Sequence, residues 1–271
     1  MEFFKRLFRF YINSSIHVSF AVVALTMFTY YQHRLPIDEM LLAFIFLSSI
    51  TGYNFVKYAP VAKLHHRSLT QHLRQIQIFS FMVFIGLFIC LFFVCSKVIL
   101  ISIILGILTL LYAIPIGKKN LREIGLLKVF IIAFIWAATT YVLPFVTDSF
   151  LWKDLIKLIN FEFIERVLWV VLLMIPFEIR DLRFDKKHLK TLVSIFGIWK
   201  IKIGSLFVMV LLFILKMYTF DIEKIWIYFS IYLSLGVVIL LAKPIQKPYY
   251  SSFYVEALPI LWMILAIFNL E

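Results

Sequence analysis

Three acids in ten residues, Glu178, Asp181 and Asp185, stand in the stretch EIRDLRFDKK, directly after the apolar run VLWVVLLMIPF. They share it with Arg180, Arg183, Lys186 and Lys187. If a helix continues through Lys187 at about 100° per residue, the acids fall within an arc of roughly 60° and the bases lie on the other side. None of the acids has a Lys or Arg three or four residues away. Like charges at that spacing are mildly destabilising, and next to hydrocarbon they also cost desolvation. A solvated charged helix would interleave its signs, whereas this one separates them. The acidic stripe therefore requires a partner from elsewhere, either a metal ion or bases on another helix. Oxygen ligands of this kind suit Mg2+, which takes one or two carboxylates together with phosphate oxygens, and the basic flank suits phosphate. The plainer alternative is a helix end whose acids are neutralised across helices. Spacing alone leaves both open.

Other groups carry weaker signals. Glu256 lies inside the apolar stretch KPYYSSFYVEALPILW. An acid within a membrane span is a functional candidate by default, and pairing with a base at the nearby interface is the equal alternative. Asn13, Ser14, Ser15 and His17 open an apolar run, where they either line a cavity or cap a helix. His65, His66 and His72 have no acid beside them and read as solvated. Cys90 and Cys95 sit in apolar surroundings without metal-ligand spacing and read as apolar filler. The 30 Phe and 13 Tyr include faces suited to an allylic cation, but aromatics also serve as span filler and interface anchors. There is no Gly-rich phosphate loop, Ser-His-Asp order or Cys-His cluster.

The elements that must hold these groups are membrane helices. The chain is 63% hydrophobic and only 15% charged, against about 45–50% and about 25% in soluble domains. Apolar runs of about 18 residues or more recur along its length, giving one integral membrane domain over residues 1–271. The expected spans are 12–32, 39–58, 76–95, 97–115, 126–146, 163–180, 200–218, 224–242 and 252–270, an all-α bundle of nine transmembrane helices. The N-terminus, MEFFKRLFRF, precedes no small-residue cleavage site and reads as leading into a retained first span. With the N-terminus in the cytoplasm, 20 of the 27 Lys and Arg fall in cytoplasmic segments, as the positive-inside rule requires. Arg34, Lys97, Lys153, Lys157, Arg166, Lys216 and Lys224 fall on the other side, with most of the acids. The net charge of +12 is thus a matter of topology, which argues against nucleic acid as a partner. The outer segment SFLWKDLIKLINF reads as an interfacial helix.

The stretch IRDLRFDKKHLKTLVSIFG, 179–197, resembles the second aspartate motif of the UbiA-type intramembrane prenyltransferases: D-x-x-x-D, a basic turn, Thr-Leu and a terminal Gly. Here these are Arg180, Asp181, Asp185, Lys186, Lys190, Thr191, Leu192 and Gly197, with Leu189 where the family has Gly. The nine expected spans match that family, which carries its first motif at the cytoplasmic end of span two and its second at the end of span six. LLYAIPIGKKNLREIGLLK, 110–128, is similar to the family's Tyr-x-x-Pro turn with the bases after it, giving Tyr112, Pro115, Lys119 and Lys128. The first motif, N-x-x-x-D-x-x-x-D, is represented by Asn54, Tyr58 and Ala62, so both of its aspartates are absent. Lys57 stands beside Tyr58, where it either neutralises phosphate as a point charge or pairs with Asp181 or Asp185.

The resemblance implies a UbiA-like bundle with a cavity on the cytoplasmic side, in a bacterial cytoplasmic membrane. The implied reaction moves a polyprenyl group from its diphosphate to a lipophilic acceptor. Asp181 and Asp185 would hold Mg2+, with Asn54 the remnant of the first motif. Arg180, Lys190, Lys119, Arg67, Lys57 and Tyr112 would contact substrate. The competing reading keeps the fold without the reaction, as an isoprenoid-lipid binding or accessory protein of the bilayer. A small transporter fits less well, because the polar residues gather at one end and not at mid-membrane.

Overall fold

The computed structural model describes residues 2–64, 71–114, 121, 124–183, 191–219 and 225–270. Every regular element among them is helical: α1 Glu2–Asn13, α2 Ile16–His33, α3 Glu39–Leu64, α4 Gln71–Cys90, α5 Ser96–Ala113 and α6 Gly125–Ala137, then α7 Leu155–Leu158, α8 Phe161–Asp181, α9 Leu192–Phe196, α10 Ile198–Thr219, α11 Ile225–Leu241 and α12 Leu258–Leu270. In hydrocarbon each segment must satisfy its own backbone polar groups, and a helix does so without a partner strand. Two π-turns interrupt the pattern, Ala138–Val142 after α6 and Tyr250–Val255 before α12.

Six helical segments are long and apolar enough to cross a membrane, and a seventh is reached if α1 and α2, bent by 55°, count as one. Each of the nine expected intervals coincides with a helix, but length and apolarity do not establish nine crossings. The segment α11 has only 17 residues, and α8 carries Glu162, Glu165, Arg166, Glu178, Arg180 and Asp181. Boundaries shift as well. The chain turns at 91–95, so the third interval ends at Cys90 and not at 95, while α3 runs on to Leu64. The expected interfacial helix is two short turns, Trp152–Asp154 and Leu155–Leu158, with Leu151, Trp152, Ile156 and Ile159 exposed as an interfacial segment requires.

Contacts run from α2 to α3, α3 to α5, α5 to α6, α6 to α8, α8 to α11, α11 to α12 and from α12 back to α2, so the bundle closes on itself. The outermost helices, α4 against α3 and α10 against α11, present apolar side chains outward. Phe81, Phe84, Phe88, Phe207 and Val210 are all more than half exposed, as lipid-facing residues are. Inside, Trp169, Trp262, Tyr30, Tyr141 and Phe28 are buried, with Trp169 edge-on to Trp262 at 5.5 Å.

Candidate functional site

Chain direction brings the ends of α1, α3, α5 and α8 and the starts of α2, α6 and the 250–255 turn to one end of the bundle. Asn54, Lys57 and Tyr58 lie at i, i+3 and i+4 on one face of α3. Asn54 is 4% exposed. Its Nδ2 donates to Ser80 Oγ on α4 at 2.8 Å, and its Oδ1 is buried with no hydrogen-bond partner among the described residues. Lys57 Nζ and Tyr58 Oη both donate to the Asn13 carbonyl, at 3.0 and 2.8 Å, so the end of α1 rests on the first-motif face. Tyr11 and His17 extend this contact. His17 Nε2 is 2.9 Å from the Phe253 carbonyl, which can only accept. On a neutral ring Nδ1 therefore accepts from Tyr11 Oη, at 2.9 Å.

On α8 the helix ends at Asp181, short of the Lys187 to which the acidic stripe was extrapolated. Asp181 Oδ1 accepts from Arg180 Nε at 2.8 Å, each side chain about one-third exposed (35% and 33%), and the guanidinium lies over the Phe177 ring. Glu178 pairs with Lys128 of α6 at 2.8 Å, both buried. For Glu178 the partner from elsewhere is thus a base on another helix. Asp181 finds its base at the adjacent residue, which helical spacing does not anticipate.

Tyr53, whose Oη accepts from Trp136 Nε1 at 2.6 Å, lies within electrostatic reach of Tyr112 and Glu256. Glu256 in turn has Lys57 and Arg180 as its charged neighbours. The structure thereby joins Asn54, Lys57, Tyr112, Arg180 and Asp181 at one end, with Lys57 accessible. Asp185, Lys190, Lys119 and Arg67, with Pro115, His65 and His66, lie outside the described residues.

Two further residues of the second motif have structural duties. Thr191 caps α9 reciprocally with Ser194, its Oγ1 accepting from Ser194 N at 3.1 Å and its own N–H donating to Ser194 Oγ at 2.8 Å. Gly197 adopts φ +80°, where a side chain is strained, and the turn it makes leads into α10.

The opposite end holds a polar network of residues that the sequence places on the outer side. Glu165, Arg166 and Lys216 are 3%, 3% and 0% exposed. Glu165 accepts from Lys216 Nζ at 2.7 Å and from Tyr232 Oη at 2.6 Å, and Tyr232 accepts from Trp169 Nε1 at 2.9 Å. Arg166 donates to the Leu25 carbonyl at 3.0 Å and to Thr140 Oγ1 at 3.3 Å, lying over Phe28 and Trp169. Glu162 collects Gln32, Tyr141 and His33 at 2.8, 3.1 and 3.1 Å. The signal was present in the sequence: two acids and a base at i, i+3 and i+4 in the first turns of a membrane helix, and Lys216 as the lone charge at the end of another apolar run. One end of the protein is therefore polar and accessible at Lys57, Arg180 and Asp181, while at the other the Glu165, Arg166 and Lys216 side chains are buried.

A bound cation needs several converging oxygens. Among the described residues no three His, Cys, Asp or Glu side chains come together to hold a metal ion. Asn54 Oδ1 is an orphaned buried oxygen, and Asp181 contributes one carboxylate, while Tyr58 brings a hydroxyl where the related motif has an acid. Among the described residues Asp181 is the one carboxylate that the two motifs contribute, so these residues alone do not complete a Mg2+ site.

No family model and no curated protein matches the chain. Solved structures do. A UbiA homolog from Aeropyrum pernix K1 superposes with a TM-score of 0.64 at 16% identity, covering 94% of this chain and 96% of the other. A digeranylgeranylglyceryl phosphate synthase superposes with a TM-score of 0.54, also at 16% identity, covering 98% and 99%. The bundle has the UbiA-type fold over nearly its whole length.

Proposed function

We propose that this chain is a membrane prenyltransferase that moves a polyprenyl group from its diphosphate to a lipophilic acceptor at the Asn54–Lys57–Arg180–Asp181 end of the bundle. The observation that carries the reading is the convergence of the two motif helices, α3 and α8, on one accessible polar end of a UbiA-type fold. That end is assigned to the cytoplasm by the distribution of Lys and Arg.

Asp181 and Asp185 would hold one Mg2+, which when bound neutralises diphosphate charge and makes it a better leaving group. Lys57 and Arg180 supply the remaining positive charge directly. Lys57 is a point charge whose bond to the Asn13 carbonyl can be exchanged for a phosphate oxygen, and Arg180 offers a planar fork once it turns from Asp181. Lys119, Lys190 and Arg67 are assigned to the same diphosphate, and Tyr112 to the substrate wall. Stabilisation of the departing diphosphate lowers the barrier because charge develops there in the transition state.

The competing reading is the accessory one, an isoprenoid-lipid binding protein that keeps the fold without the reaction.

Binding of farnesyl diphosphate to the purified protein, with and without Mg2+, separates the two readings. The transferase reading expects Mg2+-dependent binding that is weakened at least tenfold in both Asp181→Ala and Asp185→Ala. Absence of binding under every condition, with folded variants, would leave the accessory reading.

A further inference from the structure

At the end opposite the motif residues, a cavity of about 490 Å3 lies between the α2–α3 turn and the chain that follows the first π-turn. Tyr30, Asp38, Glu39 and Phe145 line it, and Ile37 and Met40, 47% and 49% exposed, add apolar surface. The backbone holds these residues in place. Arg34 takes the left-handed conformation that ends α2, with φ 51°, and the Leu35 N–H returns to the Tyr30 carbonyl at 3.0 Å. Pro36 stiffens the turn. Asp38 Oδ1 then caps α3, accepting from Leu41 N at 2.9 Å. Phe145 is held against the His33 ring at 4.9 Å and the Tyr141 ring at 5.5 Å.

The polar groups of this cavity have capacity to spare. Tyr30 is 2% exposed, and its Oη is buried with no hydrogen-bond partner among the described residues. Such a hydroxyl is costly unless something reaches it. Capping occupies one oxygen of Asp38 and leaves the other without a partner among the described residues, and Glu39 makes no hydrogen bond or ion pair with them. Among the described residues no Lys or Arg lines the cavity. A helix start accounts for two acids, but it does not account for the orphaned hydroxyl beside them. An occupant that satisfies all three groups is a hydrogen-bond donor with positive charge. The carboxylates disfavour an anion. A calcium-like cation takes about six or more oxygens and gains little from aromatic walls. An ammonium group donates to carboxylate and hydroxyl oxygens and is also attracted by aromatic faces.

We infer that this cavity binds the primary ammonium headgroup of a bilayer lipid from the leaflet at this end. The exposed Ile37 and Met40 suit the apolar part of such a lipid. Arg34, exposed at the start of the same turn, suits its phosphate. A primary ammonium keeps three N–H donors, one each for Tyr30, Asp38 and Glu39, whereas a trimethylated one has none. The site does not depend on the prenyl-transfer reading, whose residues lie at the other end of the bundle.

The test titrates dihexanoyl phosphatidylethanolamine into the purified full chain in detergent and reads saturable binding by native mass spectrometry. Dihexanoyl phosphatidylglycerol, dihexanoyl phosphatidylcholine and free ethanolamine are the controls. The expected result is single-site binding of the ethanolamine lipid, with each control weaker by about tenfold or more, the scale of lost charged hydrogen bonds. The double variant Asp38→Asn, Glu39→Gln, in which Asn keeps the cap on α3, is expected to weaken lipid binding by a similar factor. Tyr30→Phe separates a ligand role from a packing role. It removes an orphaned hydroxyl, so the lipid-free thermal midpoint is expected to hold or rise while lipid affinity falls about threefold or more. Four results overturn the proposal: equal binding of the glycerol lipid, free ethanolamine binding as tightly as the lipid, unchanged affinity in the folded double variant, or unchanged affinity in Tyr30→Phe.

Discussion

Lys57 and Lys216 are both lysines near the end of an apolar helix, and their surroundings give them opposite roles. Lys57 is accessible, with one carbonyl partner that a phosphate can displace. Lys216 is wholly buried, bonded to Glu165 at 2.7 Å, near Glu162 at 3.7 Å, and over the Tyr228 ring at 4.6 Å. Removing one member of a buried pair leaves an uncompensated charge and costs about 3–5 kcal/mol, whereas removing both is often near neutral. Lys216→Met is therefore expected to lower the thermal midpoint sharply in detergent, and Lys216→Met combined with Glu165→Gln to recover most of the loss. Equal loss in the single and double variants would refute the pairing account. At this scale the sequence identified Asp181, Arg180, Lys57 and Glu256 as worth attention, because an acid or base in apolar surroundings is conspicuous. It placed Arg166 and Lys216 at the opposite end without showing that they are buried and paired, because a charge at the end of a hydrophobic run reads the same whether the side chain reaches out to water or in to a partner.

Helices were legible where apolar runs are long, and their interruptions were not. The turn at 91–95 lies among Leu91, Phe92, Phe93 and Val94, residues that advertise continuation. The two π-turns have no sequence signature, although both adjoin polar clusters: Thr140 accepts from Arg166 and Thr29, and Phe253 takes His17. The Thr191–Gly197 segment was read as part of a substrate motif, and the structure gives two of its residues a local reason. Thr191 caps α9, and Gly197 sits where φ is +80°. A side chain at φ +80°, ψ 156° lies in a region essentially confined to glycine and costs about 1–3 kcal/mol, so Gly197→Ala is expected to destabilise the protein by about that amount. Thr191→Ala, which removes a capping hydroxyl, should cost about 1 kcal/mol. Both changes are to be read from thermal unfolding, with diphosphate affinity measured in the surviving folded protein. Affinity lost beyond the loss of folded fraction would return these residues to the binding site.

For the molecule as a whole, composition established an integral membrane bundle, and the second motif suggested the fold that the superpositions bear out. What hydropathy could not count was the number of crossings, because α8 spends apolar length on charges used internally and α11 is short. The orientation is open to direct measurement. In a background with Cys90 and Cys95 replaced by Ala, a membrane-impermeant maleimide added to intact cells is expected to label Ser149→Cys but not Lys5→Cys. Permeabilised cells should show both. The reverse pattern would place the accessible polar end outside the cell.

The contact between α2 and α12 closes the ring, and it joins the earliest of the long helices to the last. At about 5–20 residues per second, the roughly 225 residues between them take about 10–50 s to synthesise. During that interval the α2 face that packs on α12 is uncovered, and His17 lacks its Phe253 carbonyl. Biogenesis of this protein therefore includes a period in which the bundle is open along α2 until α12 is made.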